Sequence, residues 1–277
     1  MSTNKLQSEL PDTQSFPESR GLAVTRAGVS RLVLPAAVVD VDGSCCRTVA
    51  QFDLGVEVRA TQRGTHMSRL VESAHDLAKE LPLARLDSAL LRMLARMDAP
   101  SGRIHCRFPW FVTKNAPATG LSSQSDLDVE IWAYLTADGK MPSVQLRLHV
   151  PVTTLCPCSK NISRYGAHNQ RSRVSVTMRA HRQPSIAQIA AAIDGEASCA
   201  VYAVLKREDE KIVTESAYEN PKFAEDLVRD VFLAMRRLAD PEYLSVATEN
   251  QESIHNHSAY AVIDQVHLPI EQLMGGS

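Results

Sequence analysis

The sequence predicts an α+β protein built from two successive β-β-α-α-β-β units, each with a helix pair on one face of an antiparallel sheet. Segments whose apolar residues alternate with polar ones indicate half-buried strands. Segments whose apolar residues recur at intervals of three and four indicate amphipathic helices. These segments follow one another in the same order twice along the 277 residues.

The first unit is expected to span residues 21–140, after a polar tail of residues 1–20 that lacks periodicity and is predicted to be flexible. A turn at Asp42-Gly43 is expected to join the first two strands. The elements are, in order, two strands, two helices and two strands, predicted at 32–41, 48–60, 70–78, 86–97, 104–108 and 127–131.

The second unit is expected to span residues 141–277 and to carry most of the active-site motifs. Ser185 followed by Gln188 is a capping-box signal for its first helix, and Asn220-Pro221 is a start signal for its second. The elements are predicted, in the same order as before, at 144–152, 174–178, 186–204, 221–238, 243–250 and 254–265.

Two small units of this kind would leave exposed sheet edges. Unpaired edges favour association with another chain, so the pattern predicts strand pairing between copies into an oligomeric barrel.

The composition argues against several classes of protein. A formal net charge of −2 without long runs of one sign does not indicate nonspecific binding to nucleic acid or to an anionic membrane. The N-terminus lacks a signal-peptide core, and no stretch of about 18 apolar residues occurs. Six cysteines without the spacing of a disulfide scaffold are typical of a reducing compartment. We therefore expect a cytoplasmic globular protein.

The segment from Cys156 to His168, CPCSKNISRYGAH, has the residue types of a catalytic metal site. It follows a predicted buried strand, and loops at strand ends often carry function. Thiolate and imidazole suit zinc or a similar first-row metal, and a catalytic site needs only three protein ligands. By spacing alone, a buried cysteine and a surface histidine are an equal alternative.

Three other segments have side chains suited to binding or catalysis. His255 and His257 are two apart in a predicted strand, so both rings would face one side, although two surface histidines are the more ordinary interpretation. The acidic residues between 208 and 226 are interpreted mainly as a solvated surface. The segment GTHMSR at 64–69 opens a predicted helix, where backbone N–H groups and Arg69 could hold an anion.

Four longer motifs, taken together, resemble the GTP cyclohydrolase type IB family. They are GTHMSR at 64–69, PVTTLCPCSKNISRYGAHNQRS at 151–172, DEKIVTESAYENPKFAEDLVRD at 209–230 and ESIHNHSA at 252–259. The resemblance implies a tunnelling fold of tandem units in a homotetramer with active sites at subunit interfaces. It also implies hydrolysis of GTP at guanine C8, release of formate and rearrangement to 7,8-dihydroneopterin triphosphate, the first step of tetrahydrofolate and pterin synthesis.

The resemblance further implies a divalent metal ion, which would be zinc, manganese or iron. Its ligands would be Cys156, His168 and Glu210. His255 and His257 would act as acid and base groups, and either one could be a fourth ligand.

For the substrate, the resemblance implies that Glu225 holds the amino and ring N–H groups of the guanine. Cys158 is a candidate proton donor. The triphosphate would contact basic side chains contributed by one or more subunits, namely Lys160, Arg171, His66 and Arg69.

Two other functions remain open from the sequence. One is a related enzyme of the same fold acting on another purine or pterin, such as a nitrile reductase with a nucleophilic cysteine and a nicotinamide cofactor. The other is a noncatalytic oligomer whose cysteine and histidine bind zinc for stability, since the binding energy of a structural metal is folding energy.

Overall fold

A computed structural model describes residues 12–265, which form one ten-stranded sheet and six α-helices. The strands are β1 (Val24–Val39), β2 (Cys45–Val58), β3 (Leu81–Pro82), β4 (Gly102–Asn115), β5 (Ser122–Leu135), β6 (Ser143–Leu155), β7 (Asn169–Ala180), β8 (Cys199–Ala200), β9 (Pro241–Gln251) and β10 (Ser258–Gln265). The helices are α1 (Met67–Lys79), α2 (Leu86–Met97), α3 (Pro157–Ile162), α4 (Ile186–Glu196), α5 (Arg207–Glu219) and α6 (Ala224–Leu238).

The strands lie in the order β3-β1-β2-β4-β5-β6-β7-β9-β10, with the short β8 pairing the end of β6. All pairings are antiparallel except that of β3 with β1. In each half of the sheet, helices intervene between the second and third long strands. The predicted α+β class is therefore confirmed, and the second half carries the additional elements α3, β8 and α5.

A single apolar core lies between the sheet and the helices. On β4, for example, Ile104, Cys106 and Phe108 are buried, because alternate strand residues point to the same face. The helices α1, α2 and α6 each bury a stripe that includes Leu70, Leu90 and Leu227, respectively. No helix among the described residues is long and apolar enough to span a membrane.

Part of the predicted N-terminal tail contacts the body of the fold. Pro17 forms a bridge with Gln62, and the Gly64 N–H donates to the Gln14 carbonyl at 3.2 Å. Residues 1–11 lie outside the described part of the chain.

The predicted helix over 186–204 is too long. Ser185 and Gln188 do form the capping box, but α4 ends at Glu196. Cys199 and Ala200 instead pair with Thr153 and Val152 of β6. This is possible because the pairing of β5 with β6 stops at His149 and leaves the end of β6 open.

The helix α5 was not predicted, and the start of α6 was placed too early. Only Asp209 and Ala217 are buried on α5, so the sequence has no apolar stripe there. Asn220 is the C-cap of α5, and α6 begins at Ala224. The Asn220-Pro221 signal thus marks the end of one helix and not the start of the next.

The strand predicted over 254–265 begins later than expected. The ladder between β9 and β10 starts at the pair Gln251 and Ser258, so residues 252–257 form a turn. His255 and His257 therefore lie in this turn and not in a strand, and alternation along a strand does not explain their proximity.

Candidate active site

Cys156 and His168 lie side by side at one end of the sheet. The β6–β7 ladder ends with Leu155 opposite Asn169, and the two candidate ligands are the next residues on either strand. The Cys156 N–H donates to the His168 carbonyl at 3.1 Å. Both residues are half-buried. The strand pairing and this hydrogen bond bring together the two ends of the predicted metal motif.

The segment between them is not wholly irregular, because Cys156 is the N-cap of the short helix α3. The Ser159 N–H approaches the Cys156 Sγ atom at 3.4 Å. The Ser159 Oγ atom donates to the Cys156 carbonyl and accepts from the His168 N–H, both at 3.2 Å. Ser159 therefore connects both candidate ligands, a role that the sequence did not suggest.

A chain of hydrogen bonds determines which nitrogen of His168 is available. The Gln170 Nε2 atom donates to the Thr154 Oγ1 atom at 2.9 Å, and Thr154 shares a 2.8 Å bond with Ser172. The Gln170 Oε1 atom consequently faces the His168 Nδ1 atom at 3.0 Å as an acceptor. His168 must then carry its proton on Nδ1, which leaves the Nε2 lone pair free for a metal.

The turn between β9 and β10 reaches the same site. The Ser253 Oγ atom lies 3.4 Å from the His168 Nδ1 atom. The rings of His255 and His257 are exposed and stacked, with centroids 5.2 Å apart and planes inclined by 20°. The paired imidazoles thus lie in the same turn as Ser253, which contacts His168.

Glu225 lies in the first turn of α6, which begins near the end of β6. The Lys222 N–H donates to the Leu155 carbonyl at 3.0 Å, immediately before Cys156. The Phe223 N–H is capped by Asp226, whereas the side chain of Glu225 is exposed. Its carboxylate is therefore available at the helix start.

Glu210 is exposed in the first turn of α5, beside the buried Asp209. Burial raises the pKa of Asp209, but hydrogen bonds from Thr119, Lys206 and Ala118 outweigh it and lower the pKa to about 2. Within residues 12–265, no three His, Cys, Asp or Glu side chains are arranged to hold a metal ion. Glu210 is therefore not brought to ligand distance of both Cys156 and His168.

Lys160 is engaged within the chain. Its Nζ atom donates to the Tyr218 carbonyl and lies 4.5 Å from the centroid of the Tyr218 ring. Arg171 and Cys158 are both exposed near the site, on β7 and α3 respectively.

His66 and Arg69 are not brought to this site. His66 is the N-cap of α1, and its Nε2 atom lies 3.6 Å from the Asp12 carboxylate. The helix α1 packs against β1 and β2. Because β2 is three strand spacings from β6, or about 14 Å, these two residues are far from Cys156 within one chain.

A second polar cluster lies on the sheet face opposite the core, and the sequence did not suggest it. The Glu130 carboxylate lies 3.1 Å from His105, 2.9 Å from Arg107 and 3.6 Å from His149. Burial raises the pKa of Glu130, but these partners and Arg147 outweigh it and hold the pKa well below its usual range. These side chains come from neighbouring strands, so only the sheet register reveals the cluster.

Comparisons with known proteins give a consistent match. The family described as type I GTP cyclohydrolase folE2 matches residues 10–261. GTP cyclohydrolase FolE2 of Azoarcus sp. (strain BH72) is 41% identical over 256 residues, covering 92% of this chain and 95% of that protein. The FolE2 protein of Paraburkholderia xenovorans (strain LB400) is 44% identical over 260 residues, covering 92% and 95%.

Among solved structures, uricase from Arthrobacter globiformis is similar with a TM-score of 0.45 and 10% sequence identity, covering 88% of this chain and 94% of that one. This likeness is too weak to support any argument about the fold or the chemistry.

Proposed function

Because the chain belongs to the type I GTP cyclohydrolase FolE2 family, we propose that it hydrolyses GTP at guanine C8, releases formate and forms 7,8-dihydroneopterin triphosphate for folate synthesis. The observation that carries this proposal is the match to FolE2 proteins across nearly the whole chain. The arrangement around Cys156 and His168 is consistent with the chemistry required.

We propose that Cys156, His168 and Glu210 hold a divalent metal ion, which is zinc, manganese or iron. The donor set fits such an ion, because the Cys156 thiol is half-buried and the hydrogen bond to Gln170 leaves the Nε2 atom of His168 free. A bound divalent ion would lower the pKa of a water molecule, so that hydroxide becomes available near neutral pH. Glu210 would complete the set through rotation of its exposed side chain toward the pair.

The opening of the guanine ring also needs groups that deliver and remove protons. We assign this role to His255 and His257, because their exposed rings lie in the turn whose Ser253 touches His168. We propose that one ring acts as an acid while the other acts as a base. Cys158 remains a candidate proton donor.

We assign recognition of the guanine to Glu225. A carboxylate can accept two hydrogen bonds side by side, which matches the amino and ring N–H groups of guanine. The exposed position of Glu225 at the start of α6, near Leu155, supports this assignment.

The triphosphate contacts are proposed to come from more than one copy of the chain. Arg171 lies on β7 near the site, and Lys160 would have to leave Tyr218 to contact a phosphate. His66 and Arg69 can contribute only from a neighbouring copy, because α1 packs several strands away.

We propose a homotetramer of tandem tunnelling-fold units, because each half of the sheet has two long strands before its main helices and two long strands after them. Among residues 12–265, both ends of the sheet favour association: β10 is the last strand in the order, and the outer edge of β1 pairs only with the two residues of β3. Long unpaired edges are normally paired or covered in stable proteins.

The proposed activity is tested by incubating the purified protein with GTP and measuring formate together with pterin fluorescence after oxidation. We expect one formate for each GTP consumed. Absence of formate under all metal conditions, combined with reduction of a pterin-like nitrile by a nicotinamide cofactor, would favour the related reductase instead.

A further inference from the structure

We propose that Thr119 and Asp209 are positioning residues, which fix the first turn of α5 and thereby set the reach of Glu210 toward Cys156 and His168. The inference rests on the proposed metal site and adds to it a loop, residues 116–121, for which no role was predicted from the sequence.

The helix α5 has little apolar packing of its own. Of its 13 residues only Asp209 and Ala217 are buried, whereas α6 buries a full stripe that includes Leu227, Val231 and Met235. A helix in a protein is held mainly by burial of an apolar face. The position of α5 must therefore depend on polar contacts at its ends.

The N-terminal end is held by the loop between β4 and β5. The Asp209 carboxylate accepts from the Ala118 N–H at 2.8 Å, the Thr119 N–H at 2.9 Å and the Thr119 hydroxyl at 2.8 Å. It also accepts from the Lys206 N–H at 2.9 Å. Asp209 is fully buried, and charge-assisted hydrogen bonds of this kind are stronger than neutral ones.

The loop itself is well supported. β4 and β5 remain paired up to Asn115 and Ser122, so the loop closes a long hairpin. The Ala116 N–H donates to the Leu121 carbonyl at 3.0 Å, and Gly120 has a φ of 67°, in the left-handed region that favours glycine. The anchor for α5 is thus attached directly to two paired strands of the sheet.

The C-terminal end of α5 is held by Lys160, which donates to the Tyr218 carbonyl and lies over the Tyr218 ring. Lys160 belongs to α3, which begins directly after Cys156. The helix α5 therefore connects the β4–β5 hairpin with the segment that carries the candidate thiolate ligand.

Glu210 is directly bonded to Asp209 in the chain, so the anchor restricts its Cα atom. Its own side chain is exposed and can rotate. Weakening the anchor would let the first turn of α5 move away, and a ligand held by a displaced backbone binds its metal less well.

The test uses Thr119→Val, which preserves the branched shape but removes the hydroxyl that donates to Asp209 and accepts weakly from the Leu121 N–H at 3.4 Å. Thr119→Ser is the conservative variant. Thr136→Val, at an exposed position directly after the opposite end of β5, is the matched control. Zinc affinity is measured by competition with a chelator, and backbone hydrogen exchange is measured on the metal-free proteins.

We expect Thr119→Val to weaken zinc binding roughly 10- to 100-fold, the range seen for residues that orient metal ligands, and to speed exchange in the first turn of α5 about tenfold. Thr119→Ser and Thr136→Val should match the wild type in both measurements. Asp209→Asn should weaken zinc binding at least as much, and it provides a second test if Thr119→Val is poorly folded.

The inference would be wrong if Thr119→Val and Asp209→Asn bound zinc like the wild type while Glu210→Ala bound it weakly. Two other results would contradict the proposed metal site itself, and this inference with it. They are a wild-type protein that binds no zinc and a Glu210→Ala variant with unchanged zinc affinity.

Discussion

Gln170 shows how a hydrogen-bond partner can set the tautomer of a proposed metal ligand, His168. Its amide donates to Thr154, so its oxygen must accept from the His168 Nδ1 atom. This arrangement selects the tautomer whose Nε2 atom can bind a metal. The sequence contains the pattern His168-Asn169-Gln170, but only the β7 register shows that the first and third of these residues are hydrogen-bonded.

At this scale we predict that Gln170→Met lowers zinc affinity by roughly 10- to 100-fold, because the acceptor that orients His168 is lost. Chelator competition measures the affinity, and nitrogen chemical shifts of His168 report the tautomer. Gln145→Met is the matched control, since Gln145 is equally buried, at 7% exposure for both side chains. Unchanged affinity together with an unchanged tautomer would contradict the assignment.

Glu225 provides the second test at the residue scale. Removing a carboxylate that accepts two hydrogen bonds should cost about 1.5–3 kcal/mol, so Glu225→Ala should weaken GTP binding by roughly ten- to hundred-fold. Binding is measured by calorimetry on the metal-free protein, which we predict to be inactive. Glu215→Ala, an exposed change on α5, should bind GTP normally. Normal binding by Glu225→Ala would show that the guanine is held elsewhere.

At the scale of elements, periodicity predicted the long strands and the helices α1, α2 and α6 because each buries a regular apolar face. It failed for α5, whose main buried contact is a carboxylate. It also failed beyond Glu196, where the open end of β6 draws Cys199 into the sheet. Both failures have one physical cause. Each segment is held by backbone groups that are distant in sequence and otherwise unpaired, and periodicity does not reveal those groups.

The Glu130 cluster gives a pH-dependent prediction at the scale of neighbouring strands. The hydrogen bonds and positive charges around Glu130 hold its pKa below the usual range in the folded state. Its stabilising contribution is therefore present above the unfolded pKa, about 4.3, and is lost as the pH falls through the folded value.

We expect Glu130→Gln to be less stable than the wild type by roughly 2 kcal/mol at pH 7, with the difference shrinking as the pH falls below about 4. Urea unfolding across this range measures it. Glu242→Gln, whose carboxylate is more exposed, should show a smaller effect. A difference that stayed constant with pH would contradict the role of the carboxylate charge.

At the scale of the whole molecule, one chain does not bring all the predicted substrate contacts together. His66 and Arg69 lie on a helix over β1 and β2, whereas Cys156 and His168 lie at the ends of β6 and β7. In an assembly of several copies, His66 and Arg69 of one copy would lie beside Cys156 and His168 of another. We therefore predict a mass about four times the 30.4 kDa of the chain by light scattering. A strictly monomeric active enzyme would contradict the proposed shared site.

We propose that Cys156 and His168 hold a metal ion that is needed for catalysis but not for folding. The most direct test of this proposal is formate release from GTP by the chelated protein, before and after zinc, manganese or iron is added, with circular dichroism recorded in parallel. We predict that the metal-free protein is folded and inactive, that one of these ions restores formate release, and that Cys156→Ala is not restored. Full activity without metal, or loss of the dichroism signal on chelation, would contradict the account.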